Sequence, residues 1–356
     1  MKRFCVAIAV LAAALSVRSM EALPASVMEG QVGYRIEVLQ VTDIAPYQQA
    51  LDGFLNGLRE HGLSADANLI VNRTTIASDV ERGGFWNRLW VFLQVRRQAL
   101  RIAESPPDLV LTIGTSATRY ARGVLDDARI PVVFTAVANP LEIGAPSFRD
   151  AGPGVTGATL YTDMADSLKV VRQLFPAVHK IGMVHTDDEN GVAHVQVATM
   201  KAAEAGLAVS SRQVSKNDGI VPSLKELHAD GAGVQMFAVP LDTYYGLRDF
   251  EPARDLGDFA TEHQLPVVAF ALAPVPGAAL YVGADFATVG ALSASQAVKI
   301  LKRRLKPDVL PILRQDRPTV WVDPQRAAAL KLELPAALLE RKTDTARGLW
   351  EIGAAK

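Results

Sequence analysis

The segment Asp108-Leu109-Val110-Leu111-Thr112-Ile113-Gly114-Thr115-Ser116-Ala117-Thr118 reads as a strand that passes through one glycine into a helix. Residues 109–113 are a short, unbroken apolar and β-branched run, the pattern of a strand covered on both faces, as in a parallel sheet. Gly114 supplies the turn, and the small residues after it open a helix from about Ser116. Residues 131–137 form a second such run, so the unit is strand, helix, strand, and its strands are expected to be parallel.

The same alternation extends in both directions. Upstream, a strand at 35–41 precedes a helix whose Leu51, Phe54, Leu55 and Leu58 share one face by their i, i+3, i+4, i+7 spacing; a strand at 68–72 and a helix ending near Ala103 follow. Downstream, Met164, Leu168, Val171 and Phe175 mark a helix, and strands are expected at 180–185, 208–214, 234–239, 266–271 and 279–283. Helices at 192–205, 220–229 and 252–263 separate them. A helix at 288–302 and a strand at 319–322 remain, enough chain to return to the first half.

The fold class is therefore α/β, with two doubly wound parallel-sheet lobes joined by a hinge that the chain crosses several times. The first lobe is assigned residues 33–156 plus 287–335, the second 157–286, and a C-terminal tail 336–356. Hinges are expected at 154–158 and 283–286, where glycines absorb backbone rotation, with a third crossing between 305 and 319. Gly152-Pro153-Gly154-Val155-Thr156-Gly157 spells a dinucleotide fingerprint but neither closes a strand nor opens a helix, so it is read as hinge linker. Residues 78–95, with Trp86 and Trp90 among Phe85, Leu89 and Phe92, are read as a helical extension of the first lobe that packs on its core or docks a partner.

Lys2 and Arg3 precede an apolar run from Phe4 to Leu15, with Ala22 and Ala25 beyond, the pattern of a secretory signal peptide over residues 1–25. The protein is expected in the periplasm. The single cysteine, Cys5, lies in that leader, so the mature chain has no disulfide and no thiolate chemistry. Without the leader, 34 Lys and Arg face 37 Asp and Glu, a balance that offers nothing to nucleic acid. No later stretch approaches the roughly 18 apolar residues of a membrane span.

Ligands of open parallel sheets sit beyond the carboxyl ends of the strands. The candidate binding residues there are Thr42, Asp43, Thr115, Ser116, Thr118, Thr135 and Asn139 in the first lobe, and Thr186, Asp187, Asn190, Asp242, Phe270 and Asp285 in the second, with Tyr161 between them. The helix start at 114–118 suits a carboxylate, because unpaired N–H groups and the helix dipole favour an anion; Thr115 or Ser116 also serves equally as the helix cap. Asp242 suits a substrate amino group or caps its own helix, and Tyr161, Tyr244, Tyr245 and Phe270 suit stacking or core packing. Walker A, His-Glu-x-x-His and Gly-x-Ser-x-Gly patterns are absent from the sequence, the six histidines lack ligand spacing, and residues 185–190 lack the calcium-loop pattern. No catalytic residue, metal or cofactor is expected.

Taken in order, 108–118, Ile130-Pro131-Val132-Val133-Phe134-Thr135-Ala136-Val137 with Asn139-Pro140, Val155-Thr156-Gly157, Val239-Pro240-Leu241-Asp242-Thr243, Gly283-Ala284-Asp285-Phe286 and Val322-Asp323-Pro324 through Leu334-Pro335 span almost the whole mature chain. This series resembles the ABC-transporter substrate-binding proteins with tryptophan- and tyrosine-binding members, of the type I periplasmic binding fold. The resemblance implies a monomer, not an enzyme, that closes two lobes over a small carboxylate-bearing solute, such as an aromatic or branched amino acid, and delivers it to an inner-membrane ABC permease. Two other readings fit the same lobes: a binding protein that feeds a signalling receptor, and an exported hydrolase. Asn139 stands where members often carry Asp, and Leu241 where a small polar residue is common, which leaves the solute open.

Overall fold

The computed structural model describes residues 33–77, 85–229, 233–273 and 275–353. The expected leader falls outside them. The chain runs β1 (Tyr34–Val41), α1 (Ala45–Glu60), β2 (Leu69–Ile76), α2 (Phe85–Glu104), β3 (Leu109–Ile113), α3 (Thr115–Asp127), β4 (Val132–Val137) and β5 (Val155–Thr159). It continues through α4 (Met164–Leu174), β6 (Lys180–His185), α5 (Glu189–Lys201), β7 (Ala208–Gln213), α6 (Val221–Ala229), β8 (Met236–Val239), α7 (Leu247–Glu262), β9 (Val267–Ala269) and β10 (Leu280–Gly283). The last elements are α8 (Phe286–Arg303), β11 (Leu313–Arg314), β12 (Thr319–Val322), α9 (Pro324–Ala329), α10 (Ala336–Leu339), β13 (Lys342–Asp344) and β14 (Trp350–Ile352).

Two sheets result. The first has the order β11-β5-β4-β3-β1-β2 and is parallel throughout, with Ile36 beside Leu109 and Val110 beside Val132. Helices α1 and α8 cover one face over a core of Phe54, Leu58, Leu111 and Val289, while α2 and α3 cover the other over Val95, Leu125 and Phe134. The second sheet, β13-β14-β12-β10-β9-β8-β6-β7, is parallel from β10 to β7 and antiparallel from β10 to β13. Two further cores flank it, one around Leu168 and Met236, the other around Phe237 and Leu256. The strand-helix alternation thus builds two lobes.

Three sequence expectations change. Residues 154–158, expected as a hinge, lie mostly in β5, a buried strand beside β4. Its small residues let Thr156 donate to the Leu310 carbonyl and Gly157 lie against Phe134, so the glycines serve close packing within the first lobe. Residues 319–335, expected in the first lobe, belong to the second: β12 pairs antiparallel with β10, and its Val320, Trp321 and Val322 fill the cores on both faces. The tail from 336 on is no loose end, because β14 and β13 extend that sheet outward and Lys342 lies over the Trp350 ring.

The chain passes from sheet to sheet at residues 160–163, 284–285 and 315–318, each directly after a strand. The last two passages are joined: Asp285 N donates to Gln315 Oε1, and Gln315 Nε2 donates to Thr319 Oγ1. Of the segment 78–95, residues 85–95 open α2, whose Val91, Val95, Ala99 and Ile102 are buried; residues 78–84 lie outside those described.

Candidate functional site

A cavity of about 370 Å³ lies beside the first two crossings. The first lobe contributes Ala138, Asn139 and Leu141 after β4, with Phe148 farther along. The crossings contribute Leu160, Tyr161, Thr162 and Ala284, and Phe286 adds the start of α8. From the second lobe come Leu241, Phe270, Ala271 and one face of α5: Asn190, Ala193, His194, Val197, Met200 and Lys201. The wall is mainly apolar and aromatic, with a few polar groups, which is the usual make-up of a small-molecule site.

The aromatic side chains are held by specific neighbours. Tyr161 packs on Phe148 with ring centroids 4.3 Å apart, under the guanidinium of Arg314 at 5.9 Å. Burial, with Asp163 adding to it, raises the Tyr161 hydroxyl above the usual tyrosine range, so it stays protonated. Phe270 meets the His194 ring edge to face at 5.8 Å. Lys201 stands at the rim, where a hydrogen bond to Glu204 at 2.7 Å raises its ammonium above the usual range.

His194 sets the polar character of the interior. Its Nδ1 accepts from Leu241 N–H at 3.0 Å, which leaves the proton of the neutral ring on Nε2. Burial pushes its imidazole down from 6.5 to about 4, so the ring is an uncharged donor at neutral pH. Because the unfolded chain binds this proton below about 6.5 and the folded chain only below about 4, the stability tied to it is complete above pH 6.5 and declines as the pH falls toward 4. Urea unfolding is expected to show roughly 1–2 kcal/mol less stability at pH 5 than at pH 7 from this group, a difference removed by His194→Gln, which keeps an acceptor for Leu241. An undiminished pH difference in that variant would assign it to other groups.

Of the residues singled out from sequence, Asn139, Tyr161, Asn190 and Phe270 line this cavity; the others do not. The turn at Gly114 is covered by Tyr47, whose hydroxyl occupies the space a side chain there would need, and Gly114 takes φ +87°. Burial, reinforced by Asp188, pushes that hydroxyl up to about 12. Thr115 and Ser116 begin α3 without capping it, since Gly114 holds the cap position, and Thr118 is buried, donating to Gly114 O. Thr135 is buried in β4, its hydroxyl without a partner among the described residues.

Asp242 is committed within its own lobe. Its carboxylate accepts from Thr186 N at 2.7 Å, from the Thr186 hydroxyl and from Tyr244 N at 2.9 Å, and burial followed by Asp188 raises it above the usual carboxylate range. Asp43 pairs with Arg73 at 2.7 Å beside Thr42, and Asp285 caps α8 through Thr288 N. Asp187 borders a separate shallow hollow with residues 213–218. Tyr244 and Tyr245 are core residues whose hydroxyls donate to Asp218 O and Val184 O.

Among the described residues, no three side chains gather as a metal site, and no helix is long and apolar enough to cross a membrane. Residues 35–346 match the family model described as ABC transporter substrate binding protein. The chain belongs to that family. Its fold is the type I periplasmic binding type, as the structural likenesses also show. It is similar to the complex of an ABC domain with L-Trp from Streptococcus pneumoniae, at TM-score 0.70 and 21% identity over 86% of this chain and 98% of that one. A ligand-free, open substrate-binding protein with adhesive properties from Clostridium difficile aligns at TM-score 0.68 and 21% identity, covering 85% and 96%. A tyrosine-binding protein of Clostridioides difficile (strain R20291) is 20% identical over 309 residues, 84% of this chain and 81% of its own.

Proposed function

We propose that this substrate-binding protein works outside the cytoplasm, captures an aromatic amino acid or a similar apolar carboxylate by closing its lobes over the crossing cavity, and hands it unchanged to an ABC permease. The observation that carries this reading is the cavity itself, walled by both lobes and by two of the three crossings. A solute that touches both walls binds the closed arrangement better than the open one, and that differential affinity drives closure. Phe148, Tyr161 and Phe270 offer faces and edges for a ring. Asn190 Oδ1, buried and without a partner among the described residues, suits a solute N–H donor, while the neutral His194 suits an acceptor. The tyrosine-binding relative and the L-Trp complex point the same way.

The test combines native mass spectrometry of the purified protein with a thermal-shift screen of amino acids and small carboxylates. An aromatic amino acid at about 100 times its dissociation constant is expected to stabilise the protein by roughly 2.7 kcal/mol and to be recovered intact. A chemically altered product, or a panel in which no aromatic compound shifts the melting point, would overturn the reading.

A further inference from the structure

Helix α2 is apolar on two opposite faces. Val91, Val95, Ala99 and Ile102 are buried against the first sheet and α3. On the far side, Trp86, Trp90, Leu93 and Leu100 follow one another at i, i+4, i+7 and i+14, and they are 79%, 40%, 52% and 51% exposed. Arg97, at i+11, lies within that stripe and Arg96 and Arg101 flank it, whereas Arg88, at i+2, falls on the opposite side of the helix. All four arginines are exposed, and the only acid on the helix is Glu104, its last residue. A surface helix normally carries its polar residues opposite its buried stripe, so this second stripe, roughly 21 Å long at 1.5 Å per residue, calls for an occupant.

We propose that this face of α2 seats the first lobe on an anionic phospholipid surface. Charge complementarity selects that occupant: three arginines in and beside the stripe, with one acid at the far end of the helix, attract a negative surface at a distance set by the screening length. A second copy meeting this face about a twofold axis would set arginines against arginines. The stripe is convex and lies apart from the cavity, so it does not suit a small solute. Tryptophan in an apolar stripe bordered by arginine is the composition that lies in the interface of a bilayer, with indoles at headgroup depth and guanidinium groups among the phosphates. The inference is independent of which solute the cavity takes.

The purified protein is mixed with vesicles of phosphatidylglycerol and phosphatidylcholine in equal parts, or of phosphatidylcholine alone, and floated at low salt. Flotation with the mixed vesicles only, a blue shift of tryptophan emission and quenching by brominated acyl chains are expected. Arg96→Gln and Arg97→Gln are each expected to weaken partitioning roughly fivefold, and Trp86→Ser with Trp90→Ser to abolish the blue shift. These side chains are exposed, so melting temperatures are expected to stay unchanged; if one falls, quenching of the unaltered protein decides. Absence of quenching, equal flotation with phosphatidylcholine alone, or partitioning indifferent to the substitutions would overturn the proposal. So would a dimer in sedimentation, or lipid-free capture of a permease, as the only property the substitutions abolish.

Discussion

Phe270→Ala is expected to raise the dissociation constant for an aromatic amino acid by about two orders of magnitude, measured by calorimetric titration. The ring lines the cavity, is 3% exposed and touches the His194 edge. Truncating a buried aromatic at the centre of a binding surface removes its area and its oriented contacts, a loss of roughly 2–4 kcal/mol in such positions. Phe270 also belongs to the core of the second lobe, so the same change lowers unfolding stability by about 3 kcal/mol. Phe270→Leu separates the two effects. It retains most of the volume and is expected to cost less than about 1.5 kcal/mol of stability, yet it forfeits the ring-on-ring contribution of about 0.5–1.5 kcal/mol. An aromatic solute then loses about threefold to tenfold in affinity, while an aliphatic one is little affected. If Phe270→Ala binds the aromatic solute as tightly as the unaltered protein, the crossing cavity is not where the solute goes.

Phe270 is legible because it stands at the carboxyl end of a strand, where ligands of open parallel sheets gather. The same rule points to Asn139 and Asn190, which also line the cavity, and equally to Thr118 and Asp242, whose strand-end positions are used for internal hydrogen bonds. Beyond Asn190 the rule does not reach the α5 wall. Asn190, Ala193, His194, Val197 and Lys201 follow i, i+3, i+4, i+7 and i+11, a face that mixes apolar and polar residues and therefore gives a weak periodic signal. A half-apolar helix face just after a strand end is the trace such a wall leaves. Phe148 lies in an irregular connection without any periodicity, and its place beside Tyr161 depends on tertiary packing.

The lobes were legible for a different reason. Runs such as Leu109–Ile113 and Lys180–His185 are bounded by turns and buried in the sheet interior, so local pattern and final environment agree. The crossings were harder. Glycines at 152, 154 and 157 suggested rotation, whereas β5 uses its small residues to pack against Phe134 and the chain near Leu310. Likewise β12 is apolar on both faces and fits either sheet by composition. Only four residues separate it from β11 across the gap between sheets, and antiparallel pairing with β10 decides its place.

Gly290→Ala provides a test in which two opposed effects have known sizes. In an exposed helix interior, replacing glycine by alanine adds about 1 kcal/mol of helix stability. Gly290 instead sits where α8 crosses α1, and a Cβ there would lie 2.0 Å from Ala50 O and 2.8 Å from Phe54 N. The approach is mutual, since a Cβ on Gly53 would lie 2.0 Å from Ala287 O. Both obstacles are helix backbone, which cannot turn aside as a side chain can, so the helices must separate over the core of the first lobe. Overpacking of this kind costs about 1–3 kcal/mol, enough to outweigh the propensity gain. Gly290→Ala is therefore expected to be destabilising, and Gly290→Val, which adds branching and more volume, to lower unfolding stability by more than about 3 kcal/mol in urea titration. Gly206→Ala, at the end of the segment after α5 and with no atom near its Cβ, serves as a comparison in which only the strain of its left-handed backbone acts. A stabilised Gly290→Ala variant would mean that the two helices do not touch backbone to backbone. Because α1 and α8 together cover one face of the first sheet, the lobe that supplies Asn139, Leu141 and Phe148 to the cavity wall would then need a different construction.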